Sequence, residues 1–313
     1  MKYAIISDIH GNMPALKLVL EDARKQGVDG YLLGGDYSLR APWFNEVIPT
    51  LRGLPNAYAV CGNEEKYLHF PEKEDAQFAI CYWAAKQMQP ENLAWLDSLP
   101  EQVDITLNGV PVHLTHHLER FLGNEIATKF HTSVLPVRYP ERPISPERFQ
   151  ADARQLLLDS PTLSAVLEDL PAGVYVFGHN HAQWNARFGD HLFINPGSCG
   201  HPIDCMPFGA CYALLTIENG AYEVESRRIP YDPEPLIRQA MQTGQYQADP
   251  VWSSLIFMDW RSCSEHIFSF LRYVEMYANR VGDNRRPFMR DTWQAAFEEW
   301  GTLGYPLYTE GSL

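Results

Sequence analysis

Tyr3-Ala-Ile-Ile-Ser7-Asp8-Ile9-His10 decides the reading of this chain: a run of strand character that ends in a carboxylate and an imidazole two residues apart. The arrangement returns four times. Gly30-Tyr-Leu-Leu33 leads into Gly34-Gly35-Asp36, and Asn56-Ala-Tyr-Ala-Val60 into Gly62-Asn63-Glu64. Val110-Pro-Val-His-Leu114 leads into Thr115-His116, and Gly173-Val-Tyr-Val-Phe177 into Gly178-His179-Asn180-His181. A single Asp-x-His arises by chance in many chains, where it is a surface or capping pair. Five such strings in one order imply strand ends that share an edge of a sheet and converge their donors there. Seven of those donors, Asp8, His10, Asp36, Asn63, His116, His179 and His181, are of the oxygen and imidazole types that suit Mn, Fe, Zn, Ni or Co. The lack of a Cys cluster speaks against a structural zinc knuckle. Seven protein donors exceed what one metal with an open position needs, so two divalent metal ions sharing a carboxylate are expected.

Outward from these strings, the first 60 residues read as β-α-β-α-β. Met13 to Gln26 carries apolar residues at 15, 16, 18, 19, 20 and 23 with Gly27 as a stop, and Pro42 to Arg52 gives a second helix. Strands alternating with helices predict a largely parallel sheet covered by helices. Residues 72–99 read as helical, ending before Pro100, and their aromatic density is that of a core. Residues 101–115 predict a hairpin turning at Asn108-Gly109, with similar turns at Gly189-Asp190 and Asn219-Gly220. Between 117 and about 150 the chain has Pro136, Pro140, Pro143 and Pro146 and no clear period, so an irregular surface insertion is expected before a helix from about Pro146. Such a segment serves as a substrate loop or merely as a linker. Beyond Arg228, helices are expected at 234–243, 263–281 and 289–301. Trp252, Trp260, Trp293 and Trp300 are half of the eight tryptophans, too many to leave in water, so this extension packs on the first domain or on a second subunit.

The 313 residues are long enough for a substantial core, and 45% of them are hydrophobic. No run of about 18 apolar residues occurs, and the N-terminus enters a strand at once, so no membrane association and a cytoplasmic location are the default expectations. A formal net charge of −14 excludes a general nucleic-acid binder, because counterion release needs a basic surface. It does not exclude a phosphate ligand, since two bound cations would invert the field in the cleft. Six cysteines without paired spacing read as free buried thiols.

The order D-x-H, G-D, G-N, strand-end His and G-H-x-H resembles the calcineurin-like metallophosphoesterases, and the match runs over residues 1–228. The block Ile194-Asn-Pro-Gly-Ser198 followed by Gly209-Ala-Cys-Tyr-Ala-Leu-Leu215 is similar to the small bacterial branch with phosphodiesterases and symmetrical diadenosine tetraphosphatases. The resemblance implies an α/β fold, a four-layer α/β/β/α sandwich of residues 1–228, with the helical extension 229–313 added to it. It also implies that Asp8, His10 and His181 hold one metal, that Asn63, His116 and His179 hold the other, and that Asp36 bridges them.

A phosphoester repels hydroxide, so its hydrolysis needs charge neutralisation, a strong nucleophile at neutral pH and in-line geometry, and two ions supply all three. The substrate expected is a small phosphorylated molecule such as a phosphodiester, a nucleotide or a dinucleoside polyphosphate. A phosphomonoester, or a non-catalytic metal-stabilised module, is the alternative. Glu64 stands where the family often has a His that protonates the leaving oxygen, and a carboxyl near two cations is a poor acid. His117, and after it His201, are the alternative proton donors, against the ordinary reading of surface histidines. Asn12 and Arg40 lie close to expected ligands and are candidate phosphate contacts, against readings as a helix cap and a surface ion pair.

Overall fold

Alternate residues of the first strand serve two different cores: Tyr3 and Ile5 face one apolar layer, Ala4 and Ile6 another. A strand buried on both faces lies inside a layered sheet structure, and the computed structural model, which describes residues 1–307, has that form. In chain order come β1 (Lys2–Ile6), α1 (Met13–Lys25), β2 (Gly30–Leu33), α2 (Phe44–Arg52), β3 (Ala57–Ala59), α3 (Glu64–Tyr67), α4 (Ala79–Gln87) and α5 (Pro90–Asp97). There follow β4 (Gln102–Leu107), β5 (Val110–Thr115), α6 (Glu119–Lys129), a 3-10 turn (Thr132–Val134), α7 (Leu135–Arg138), α8 (Pro146–Leu158) and α9 (Leu163–Asp169). Then come β6 (Gly173–Val176), β7 (Gln183–Phe188), β8 (His191–Pro196), β9 (Ala210–Glu218) and β10 (Ala221–Ile229). Helices α10 (Pro233–Ala240), α11 (Gly244–Ala248), α12 (Pro250–Ser262), α13 (Ile267–Val281) and α14 (Arg290–Thr302) complete the described chain.

The strands form two five-stranded mixed sheets, ordered β10-β9-β1-β2-β3 and β4-β5-β6-β8-β7. Ile5, Leu32, Val112, Val174, Leu192 and Leu215 fill the space between them. Leu16, Val19, Val47 and Ile48 of α1 and α2 cover the outer face of the first sheet, and Leu122, Ile126, Phe149 and Leu157 cover that of the second. The result is the expected four-layer α/β/β/α sandwich. The hairpin turns at Asn108-Gly109 and Asn219-Gly220 have positive φ at both positions, which is the backbone those residue pairs favour.

Three segments differ from their sequence-based expectation. Residues 72–99 are not one helix: 72–78 are non-helical, with Asp75 bridged to Met289, and Pro90 opens a separate α5 because it has no N–H to continue α4. The segment expected as an irregular insertion, 117–150, carries α6, the 3-10 turn and α7. Its Leu118, Leu122, Ile126, Phe130 and Leu135 are fully buried. Those residues do hold a helical spacing; the later prolines obscured it, although Pro136 and Pro146 sit in the first turns of α7 and α8, where proline is tolerated. Helix α12 was not expected, because it is buried on most sides, with Ser253 and Asp259 among its buried residues, and so shows no regular polar face to mark its period. Trp260, Trp293 and Trp300 are buried in the same cluster as the α1 and α2 residues. Among the described residues no helix is long and apolar enough to cross a membrane, and all six cysteines are unpaired.

Candidate metal centre

Asp8, Asp36, Asn63, His116 and His179 follow the carboxyl ends of β1, β2, β3, β5 and β6. The strings after β1, β2 and β6 leave their strands through left-handed backbone. Asp8, His10, Asp36, His179 and His181 all have left-handed backbones, with φ of 53°, 50°, 55°, 70° and 55°. For residues with a Cβ this conformation is strained, by about 1–3 kcal/mol each, and it persists only where the surroundings enforce it. Two glycines let the turns meet. A Cβ on Gly62 would stand 2.0 Å from Asp36 Oδ1, and one on Gly178 would stand 2.0 Å from Ser7 Oγ and 2.5 Å from Asp8 Oδ2.

The side chains converge on a common centre. His181 Nδ1 donates to the carbonyl of His201 at 2.7 Å, and His10 Nδ1 donates to Glu64 Oε2 at 2.8 Å. Both rings therefore turn Nε2 inward, where the two Nε2 atoms lie 3.1 Å apart and Asp8 Oδ1 is 3.4 Å from that of His181. A second set gathers around Asp36 and Asn63. His116 Nδ1 donates to Gly34 O at 2.7 Å, which turns Nε2 toward Asn63 Oδ1 at 3.1 Å and Asp36 Oδ2 at 3.3 Å. His179 Nδ1 is 2.9 Å from the same Asn63 oxygen. Asp36 belongs to both neighbourhoods, since its carboxylate lies within 4.8 Å of donors from Asp8 and His116 and, separately, of donors from His10 and Glu64. In the metal-free chain a proton on His116 bridges it to Asp36, and carboxylates, an amide oxygen and imidazoles oriented by carbonyl or carboxylate partners are the ligand chemistry of divalent metals.

Electrostatics follow the same division. Burial alone would raise the Asp36 carboxyl, but the charge and hydrogen bond of His116 hold it far below the carboxylate range. Burial likewise opposes protonation of His116, yet Asp36 beside it raises the imidazole to about 10 in the metal-free chain. His179 is pushed down to about 3 by burial and then by the charges of His116 and His117, and burial with the charge of His10 keeps His181 neutral. Burial would raise Glu64 too, but Arg40 and His10 hold it ionised.

The other expected residues are placed as follows. Both oxygens of Glu64 are engaged, one by His10 and the other by Arg40 Nε at 2.7 Å. Arg40 Nη1 is buried without a hydrogen-bond partner. His117 is half-buried beside His179, with ring centroids 4.5 Å apart, and its Nδ1 is 3.2 Å from Glu119 Oε1. Asn12 caps α1, accepting from Ala15 N at 3.1 Å, while its Nδ2 donates to Gly200 O at 2.9 Å; it is fully buried and is brought to the helix end rather than to the cleft. His201 is also fully buried, with Nε2 3.0 Å from Asp259 Oδ2, and its carbonyl orients His181.

Sequence reasoning missed Glu65, whose carboxylate accepts from the backbone N–H of Gly62, Asp36 and Tyr37 at 2.8, 3.1 and 2.9 Å and so clamps two ligand turns together. It also missed Glu119, Asp259 and Glu265. Asp259 and Glu265 are unmarked because His201 and Thr132, which they meet, lie 58 and 133 residues away, whereas Glu119 is only two residues from His117 and was overlooked as an ordinary charged residue. Beside the ligands opens a cavity of about 260 Å³, bounded on this side by Asp36, Arg40, Asn63, Glu64, His179 and His181.

The chain is similar to known proteins in sequence and in fold. Residues 1–220 match the model of the calcineurin-like phosphoesterase superfamily domain. An uncharacterized protein of Methanocaldococcus jannaschii is 34% identical over 250 residues, 73% of this chain and 87% of its own length. In fold, a metallophosphoesterase from Sphaerobacter thermophilus superposes with a TM-score of 0.57 at 21% identity, covering 84% of this chain and 100% of its own. A hypothetical protein from Pyrococcus horikoshii gives a TM-score of 0.55 at 16% identity, over 82% and 97% of the two chains. With its residues 1–220 matched, a relative 34% identical and the ligand turns gathered at the strand ends, the chain belongs to the calcineurin-like phosphoesterase superfamily and is a metal-dependent phosphoesterase.

Proposed function

We propose that the chain hydrolyses a phosphodiester or phosphomonoester at a dinuclear centre, with Asp8, His10 and His181 holding one divalent ion, Asn63, His116 and His179 a second, and Asp36 between them. The observation that carries this reading is the two groups of oxygen and imidazole ligand atoms that meet at Asp36. When bound, the ions supply Lewis acidity to phosphate oxygens and lower the pKa of water toward about 7.

The chain's own residues do the rest. Glu64, the His201 carbonyl and the Gly34 carbonyl fix the tautomers of His10, His181 and His116, so that each ring offers Nε2 to the centre. Arg40 Nη1, a buried donor without a partner, is available to an anionic phosphate oxygen. Glu64 is ionised and bonded at both oxygens, so it holds Arg40 and His10 rather than giving a proton. His117, with Glu119 behind it, is the proposed proton donor to a leaving oxygen. A small phosphorylated molecule with a stable leaving anion is the substrate that asks least of this arrangement.

Hydrolysis of p-nitrophenyl phosphate and of its bis ester by the protein with added Mn, beside a chelated control, tests the reading. Turnover that depends on the metal is expected. A protein that binds Mn but turns over neither ester would overturn it.

A further inference from the structure

The cavity beside the ligand cluster has a second wall with a different chemistry. It is built by Phe78 and Ile80 at α4, Ile256 of α12, and Ile267, Phe268 and Leu271 of α13. These segments lie outside the strand turns that carry the ligands, and two of the three belong to the C-terminal helices. Several polar atoms along this wall are bonded within the protein. Glu265 accepts from Phe268 N at 3.0 Å and from Thr132 Oγ1 at 3.2 Å, His131 Nδ1 lies 2.8 Å from Ser133 Oγ, and Gln77 Oε1 accepts from Phe288 N at 3.2 Å. The partnerless Oδ1 of Asn180 stands beside His179 and His181, whereas Ile256, Ile267, Phe268 and Leu271 line the far side with apolar side chains. One end of a single space therefore offers cation ligands and the Arg40 Nη1 donor, and the other offers hydrocarbon.

A molecule that fills both ends is a phosphoester with an apolar organic part. We propose that this cavity seats an aromatic or branched aliphatic alcohol portion of the substrate, in van der Waals contact with α12 and α13, while its phosphate lies at the Asp36 end. The proposal rests on the hydrolytic reading above for its phosphate end. Along α12 and α13 the lining is Ile256, Ile267, Phe268 and Leu271, hydrocarbon against which an apolar group gains most from leaving water. Burial, and then the charge of Asp259, also push the Glu265 carboxyl up to about 7, as a wall of low polarity would.

The test uses the Mn-loaded protein and phosphonates, whose C–P bond is not hydrolysed. Affinities for methyl-, butyl- and benzylphosphonate are read twice, from inhibition of p-nitrophenyl phosphate turnover and from the change in tryptophan fluorescence that is lost in Trp252→Phe, Trp252 being the tryptophan that borders the cavity. Burying a methylene is worth about fourfold in affinity, so a rise of at least tenfold from methyl to butyl or benzyl is expected. Leu271→Trp fills the space and should erase that rise. Phe268→Ser, at a side chain 39% exposed and so gentle on folding, should reduce it. A flat series in the unaltered protein, a rise that survives in both variants, or tighter binding of adenosine monophosphate than of benzylphosphonate overturns the proposal. If the fluorescence series rises while no ester is hydrolysed, the apolar seat stands and the hydrolytic reading falls.

Discussion

Glu265→Gln should make the metal-free protein more resistant to unfolding near pH 8 while leaving it little changed near pH 5. Glu265 is fully buried at the start of α13, and burial followed by the charge of Asp259 raises its carboxyl from 4.5 to about 7, with Arg40 opposing. The folded state therefore prefers the neutral acid. The stability this contributes is complete below the unfolded-state value of 4.5 and is lost as pH rises through about 7, because the unfolded chain sheds the proton first. At about 1.4 kcal/mol per pH unit of difference, the loss between pH 5 and pH 8 is on the order of 2–3 kcal/mol. Glutamine copies the neutral form: its oxygen can accept from Phe268 N, and its amide can donate to Thr132 Oγ1, where a protonated glutamate would donate. Urea unfolding of both proteins, followed by tryptophan fluorescence in chelator, gives the quantity needed. It is the change with pH of the difference between the two proteins, so every other titrating group cancels. A difference that is the same at both pH values, or one that favours glutamate near pH 8, would refute a neutral Glu265 in the folded chain.

At the centre, Asp36→Asn should abolish nearly all turnover and lower the content of both ions, whereas His181→Ala should mainly deplete one; metal counting on the purified variants checks this, and unchanged occupancy in Asp36→Asn rules out a shared ligand. Because Asp36 raises His116 to about 10, a cation must displace a proton from it. Mn affinity should accordingly rise about tenfold per pH unit between pH 6 and pH 8, and a flat titration refutes the exchange. His117→Ala should slow alkyl esters about 100-fold more than nitrophenyl esters if it protonates the leaving oxygen. Equal losses on both would instead point to phosphate binding.

Much of this molecule was legible because its signals are local. A strand followed at once by Asp-x-His or Gly-His-x-His announces itself within ten residues, and Asn-Gly turns need only their own two positive φ angles. The apolar residues Leu118, Leu122 and Ile126 were visible just as locally, but the break at Gly123 divides their helix into two short pieces and the neighbouring prolines outweighed the pattern. Other features were written nowhere near their effect. Glu65 holds backbone N–H groups of a turn 28 and 29 residues earlier, and Asp259 reaches His201 across 58 residues. A carboxylate whose partner is chosen by the tertiary fold looks, in sequence, like any solvated charge. Asn12 shows the converse: adjacency to His10 suggested a ligand contact, and the side chain was needed to begin a helix.

The left-handed backbones at Asp8, His10, Asp36, His179 and His181 leave a mark of a different kind. Glycine would relieve all five, so a chain drifting only toward greater thermal resistance would shed its reactive side chains at those very places. Durability and chemistry pull in opposite directions there, and the torsion angles record which of them prevailed.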